Sequence, residues 1–202
     1  MASPTPKTSK RELTREKVIL AAIDCIYEEG FAAAHTNRIA EAAGVSWGVL
    51  QYHFGDKDGL LQAVIEYIFE RFKSTLTEES GQEDSLEQRM RHLIDVIWSV
   101  VNKPDYRVSI AILRNAGKDP GSSIDGEQQL RIWSMTTSRY WDELFAPDRL
   151  DRQKSDTARH LLFATLRGLA DEINPAENTD PAAIELELDA LASAMLFTLG
   201  KR

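Results

Sequence analysis

The chain has 202 residues, 43% of them hydrophobic, and its 24 Lys and Arg against 32 Asp and Glu give a formal net charge of −8. That length holds a small unit plus a larger second domain with its own core, while one cysteine, Cys25, excludes a disulfide framework. No apolar run reaches the ~18 residues of a membrane span, and residues 1–7, Met-Ala-Ser-Pro-Thr-Pro-Lys, lack the apolar core of a secretion signal, so a cytoplasmic protein with no membrane partner is expected.

Residues 1–12 read as a flexible basic arm. Ser, Thr and Pro dominate residues 2–9, and within residues 1–17 Lys7, Lys10, Arg11, Arg15 and Lys17 outnumber Glu12 and Glu16. Such an arm either reaches phosphate or a minor groove, or is a solvated leader with incidental lysines. The negative excess lies elsewhere: residues 1–57 carry seven basic and seven acidic side chains, so the remaining 145 residues hold all of it. A first helix is expected over Thr14–Glu29, with Ile19, Ala22, Ile23 and Ile26 as its buried stripe and Cys25 as a core thiol.

From Thr36 to Lys57 the pattern is two short helices broken at Gly44. Thr36 can cap the first, whose Ile39, Ala40 and Ala43 recur at helical spacing, and Gly44 supplies the positive φ of a tight helix end. Ser46 caps the second. Its Leu50 and Phe54 face inward, and Gly48, Val49, Tyr52 and His53 fall on the opposite arc. An exposed arc this aromatic needs a partner, and two short helices so joined read as a DNA-binding helix-turn-helix over residues 13–57.

Asp56 caps a fourth helix, placed at residues 58–76, that carries Leu60, Leu61, Val64, Ile65, Ile68 and Phe72 and connects to a C-terminal domain at residues 77–202. The polar segment Thr77–Ser85 is the expected junction. Leu86, Met90, Leu93, Ile94, Ile97, Val100 and Val101 form the next stripe; a helix over Tyr106–Asn115 stops at Gly117; and Asp125 can cap one running through Trp133 and Trp141 to Phe145. Helices over Asp156–Ile173 and Pro181–Leu199, separated by a turn at Asn174-Pro175, complete an all-α fold of about nine helices. His35, His53, His92 and His160 show no metal-ligand spacing, and no phosphate loop or nucleophile elbow occurs, so neither an enzyme nor a cofactor is expected.

The block Leu13–Ile68, about a quarter of the chain, resembles the N-terminal domain of TetR-family transcriptional regulators. The resemblance is carried by Thr14-Arg15-Glu16-Lys17, Glu28-Glu29-Gly30-Phe31, Ile39-Ala40-Glu41-Ala42-Ala43-Gly44-Val45-Ser46, and the run Leu50 to Leu61. It implies that the second short helix enters a major groove N-terminus first, bringing Trp47, Gly48 and Val49 near base edges, with the capping Ser46 also among the DNA-binding residues. Val49 stands where the family usually has Thr or Ala, and Trp47 where it has Lys or another polar residue; readout should lean on shape and thymine methyl contacts. Gln51, at a common Tyr position, either pairs with adenine or bonds a phosphate. Tyr52, His53 and Lys57 match positions that grip the backbone, although Tyr52 and His53 could instead pack onto a neighbouring helix. Thr36 matches a phosphate contact and Asn37 a position that can reach a base.

The resemblance further implies a homodimer held by the last two helices and a small-molecule effector bound in the C-terminal domain. Trp98, Trp133, Met135, Tyr140, Trp141, Phe145 and Phe163 could line a pocket for an apolar or aromatic effector, or be plain core; Arg114, Asn115 and Arg139 are possible polar anchors. The expected protein is a homodimeric repressor released from a palindromic operator by that effector. The competing reading is a ligand-binding protein whose helix-turn-helix, with its unusual Trp47, Val49 and Gln51, no longer binds DNA.

Overall fold

A computed structural model of the chain describes residues 9–78, 85–116, 121–172 and 180–200. Among the described residues there are nine α-helices, one 3-10 turn and no strand: α1 Lys10–Glu29, α2 Thr36–Ala42, α3 Trp47–Phe54, α4 Lys57–Glu78, α5 Leu86–Val101, α6 Pro104–Ala116, α7 Gly126–Leu144, the turn Ala146–Asp148, α8 Arg152–Glu172 and α9 Pro181–Thr198. The all-α expectation holds. Two compact units divide the chain, the described parts of Met1–Phe69 with Arg107–Glu127, and of Glu70–Tyr106 with Gln128–Arg202. Most of α6, from Arg107 on, falls in the unit that holds the helix-turn-helix.

In the first unit, α1 begins four residues earlier than its apolar stripe suggests. Ser9 and Glu12 form a reciprocal capping box, with Glu12 N–H donating to Ser9 Oγ at 3.2 Å and Ser9 N–H to Glu12 Oε2 at 2.7 Å. Lys10, Arg11 and Glu12 therefore form a helical turn rather than the end of a flexible arm; residues 1–8 of that arm lie outside the described residues. The helix stops at Gly30, whose φ of +84° an L side chain rarely adopts. Val18, Ile19, Ala22, Ile23, Cys25 and Ile26 are buried with Ile39, Leu50, Leu60, Val64 and Ile65. Burial pushes the Cys25 thiol up, as expected of a core cysteine.

The second unit is built on α5, α8 and α9, which pack against one another. Met90, Leu93, Ile94, Ile97, Leu162, Leu166, Leu188 and Met195 are buried there. A Ser85–Gln88 capping box starts α5. Arg89 makes a bidentate pair with Asp148, its Nη2 2.6 Å from Oδ1, which holds the 3-10 turn. On the rim, Arg91 bonds Asp95 along α5 and reaches Glu185 and Asp189 on α9. The expected junction at residues 79–84, Gly117–Pro120 of the expected loop and the Asn174-Pro175 turn fall outside the described residues. No described helix is long and apolar enough to cross a membrane.

Candidate nucleic-acid interface

The turn between α2 and α3 follows from three residues. Gly44, at φ +59°, lets its N–H donate to Glu41 O at 2.9 Å while Val45 N–H donates to Ala40 O at 3.0 Å, the paired bonds of a Schellman ending. Ser46 then starts α3 by accepting from Val49 N–H at 3.4 Å. Thr36 is not the cap of α2. It is the first helical residue, and His35 occupies the cap position without a side-chain bond.

Leu50 anchors α3 in the core and Phe54 is half-buried. The exposed arc is Trp47, Gly48, Gln51 and Tyr52, with Trp47 52% and Tyr52 71% exposed. Val49 and His53, expected on that arc, are half-buried on its flank. At residue spacings of one, four and five, the four exposed residues share one side of the helix. A Cβ at Gly48 would meet only Ser46 Oγ, 3.9 Å away, so the fold itself does not demand glycine there. Its bareness instead leaves room for a surface to approach the backbone closely.

Around this arc the basic side chains lie on aromatic rings. The Arg11 guanidinium is 5.7 Å from the centre of the Tyr52 ring, Arg15 is 5.5 Å from that of Phe54, and Lys57 Nζ is 5.1 Å from that of Phe31. Tyr52 thus stays at the surface with a cation on it rather than packing into the core. Asn37 is exposed on α2 and Thr36 half-buried; Arg38 beside them is tied to Glu29 of α1 at 2.8 Å.

Two features of this unit were not anticipated from the sequence. Gly59, in the first turn of α4, lies so close to the end of α3 that a Cβ would stand 2.0 Å from Phe54 O. The Asp56 cap, donated to by Gly59 N–H at 2.8 Å, fixes that approach. Next to it, Asp58 accepts from Ser123 N–H and, at 3.1 Å, from Ser123 Oγ. Burial pushes the Asp58 carboxyl up, but bonds from Ser123 and Ser122 outweigh it and leave the group below its ordinary value. The glycine could have been suspected from its place three residues beyond a cap; the Asp58–Ser123 contact spans 65 residues and leaves no local signal.

The residues expected to hold a ligand are scattered. Trp98 lines a cleft between α5 and α9. Trp133 stacks on Phe72 with ring centres 5.7 Å apart. Trp141 is 1% exposed, packs on Phe145 and donates its indole N–H to Ser155 Oγ at 2.8 Å, so it serves as core. Tyr140 and Phe163 are half-buried, Met135 is exposed, and Arg139 is exposed beside Glu143. Arg114 and Asn115 belong to the unit that carries the helix-turn-helix, not to the one that holds the aromatic residues.

A capped reading helix with an exposed aromatic arc, set behind a second short helix and flanked by cations, defines the class of helix-turn-helix DNA-binding proteins. The family described as "Bacterial regulatory proteins, tetR family" matches residues 18–64. The chain is similar to the HTH-type transcriptional regulator BetI of Burkholderia mallei, 26% identical over 167 residues that cover 81% of this chain and 83% of that one. Among solved structures it shares its fold with Salmonella enterica GusR, at a TM-score of 0.70 and 19% identity over 96% of this chain and 99% of the other. It also shares it with the multidrug binding protein EbrR complexed with imidazole, at 0.61 and 15% over 98% and 97%. Residues 18–64 thus match the tetR-family DNA-binding domain, and the chain is a transcriptional regulator with a DNA-binding helix-turn-helix.

Proposed function

We propose that the protein is a homodimeric repressor that reads a palindromic operator with the exposed arc of α3 and is released from it by a small effector. The observation that carries the reading is the arc itself: Trp47, Gly48, Gln51 and Tyr52 point to solvent from a helix whose other side is anchored by Leu50. Trp47 offers a broad apolar edge and one N–H donor, Gly48 admits close approach, and Gln51 has an amide that pairs with adenine or bonds a phosphate. Ser46 and the flanking Val49 sit at the end of α3 that enters the groove. Tyr52 with Arg11 on its ring, His53, Lys57, Thr36 and Asn37 supply the backbone grip and the second approach to the bases.

The dimer is supported by an apolar surface with no use inside one chain. On α9, Leu188, Leu191 and Met195 are buried, as is Leu199 at its C-cap, while Leu186, Ala190 and Phe197 form a second stripe on the opposite side, with Leu186 70% and Phe197 77% exposed. On α8 the exposed Leu161, Ala164 and Gly168 are likewise three and four apart. A Cβ at Gly168 would meet nothing within 4 Å, which leaves space for close packing by a partner helix. The effector is suggested by the aromatic content of the second unit and by EbrR, a fold neighbour seen with imidazole bound. An apolar or aromatic compound is the expected class.

Gel shifts with fragments from upstream of its own gene test the reading. Retarded, competitor-resistant complexes are expected. Binding that unrelated duplex removes equally well would favour the alternative of a ligand-binding protein with a degenerate helix-turn-helix. Effector and operator should then compete with a coupling of ~1–3 kcal/mol, or ~5–150-fold, and by linkage operator DNA must weaken effector binding by the same factor.

A further inference from the structure

The cleft between α5 and α9, about 410 Å³ in volume, has a composition that selects for charge. The helices run antiparallel past it: Arg91 near the start of α5 meets Glu185 and Asp189, whereas Trp98 and Asn102 near its end share the cleft with Ile184 and Pro181 at the start of α9. Trp98, Pro181, Ile184 and Leu188 give it apolar walls; Asp95, Ser99, Asn102 and Glu185 give it polar ones. None of these lining residues is basic.

The charge balance here favours a cation. Arg91 is bonded by Asp95, Glu185 and Asp189, three carboxylates to one guanidinium, so the cluster at the cleft's edge keeps a net charge of −2. Ser99 Oγ donates to Val96 O at 2.8 Å, so it turns only lone pairs toward a ligand. Asn102 caps the C-terminal, negative end of the α5 dipole. The positive end of α9 is answered within the chain by Asp180, whose carboxylate accepts from Ala182 N–H at 3.0 Å. An anion would find only the Asn102 amide and the Trp98 indole N–H as donor side chains, and a neutral apolar compound would leave two carboxylates facing its surface.

We propose that this cleft binds an organic monocation, an amine or quaternary ammonium whose charged head lies against Asp95 and Glu185 and whose apolar body rests on Trp98. The carboxylates balance the charge of such a head while the indole face packs the apolar body beside it. The proposal sharpens the effector reading above, on which its regulatory meaning rests; occupancy of the cleft does not depend on it.

Calorimetric titration of the full chain without DNA tests it, with phenethylammonium, its neutral isostere 2-phenylethanol, and phenylacetate as probes. The cation should bind about tenfold more tightly than the alcohol, and phenylacetate more weakly than either. Glu185→Gln should erase the preference for the cation while leaving the alcohol's affinity in place, which also shows that the variant is folded; Trp98→Leu should weaken both. Equal affinities for the three probes, a preference for phenylacetate, an unchanged cation preference in Glu185→Gln, or no binding at millimolar concentration would overturn the proposal. Adding the cation to the operator complex separates the two readings. Binding without release of DNA leaves the cleft assignment standing and removes its regulatory role, and release only by compounds that ignore Glu185→Gln does the reverse.

Discussion

Replacing Phe197 by Glu separates the proposed dimer surface from the core of a single chain. Phe197 is 77% exposed within one chain, so the substitution should leave the fold near its original stability, within ~0.5 kcal/mol as for most surface changes. In a two-fold dimer the same residue is buried twice. Burial of a Phe side chain contributes ~1.5–3 kcal/mol, so losing two costs about 3–6 kcal/mol, and each carboxylate left unpaired in the interface adds to that. At ~1.4 kcal/mol per decade the dissociation constant should rise by at least two to four decades. Sedimentation velocity over a range of concentrations reads this directly, with thermal melting of the variant as the control for folding. Leu191→Arg would not discriminate, because Leu191 is 7% exposed inside its own chain and the variant should unfold instead. A Phe197→Glu protein that melts normally and sediments as an undiminished dimer would refute the placement of the interface on α9.

Gly59→Ala should destabilise the helix-turn-helix unit by about 3 kcal/mol, the upper range for overpacking, because its Cβ meets the backbone carbonyl of Phe54; Gly55→Ala, at φ +78° in open space, should cost less, the strain of a positive-φ backbone with no clash, and chemical denaturation ranks the two. Asp58 titrates below its ordinary value, so its contacts with Ser122 and Ser123 stabilise the protein above pH ~3.9 and are lost as pH falls through the lower folded value. The stability gap between wild type and Asp58→Asn, followed by denaturation against pH, should therefore stay constant near neutrality and close only in acid. Arg11→Ala should weaken binding to all duplexes alike and reduce the slope of log affinity against log salt by about one; an unchanged slope would mean that Arg11 only supports Tyr52.

The parts of this fold that were legible from the sequence are those set by local chemistry. Gly44, Ser46 and Asp56 perform the turn and caps that their types imply, and the stripes at residues 86–101 and 181–199 face inward as their spacing requires. Boundaries failed where a capping box extended a helix past its apolar stripe, as at Ser9–Glu12, or where a cap position without a side-chain bond, His35, preceded the expected Thr36. The arc of α3 was half legible. A short helix at a surface buries its flank by tertiary contact, which moved Val49 and His53 off the exposed side and left Trp47 and Gln51 on it. Which aromatic residues line a cleft was the least legible, since Trp98 in a cleft and Trp141 in the core have the same helical spacing from apolar neighbours. What separates them lies elsewhere in the chain: Trp98 shares a cleft lining with residues of α9, whereas the Trp141 indole N–H is taken up by Ser155.

The most direct test of DNA reading by α3 is selection of bound sequences from a random duplex pool, carried out in parallel with wild type and Trp47→Ala. An inverted repeat whose half-sites lie about one helical turn apart or slightly more is expected, with Trp47→Ala altering base preference at the same position in both halves. No enriched sequence with the wild type, or an identical preferred sequence with Trp47→Ala, would contradict it.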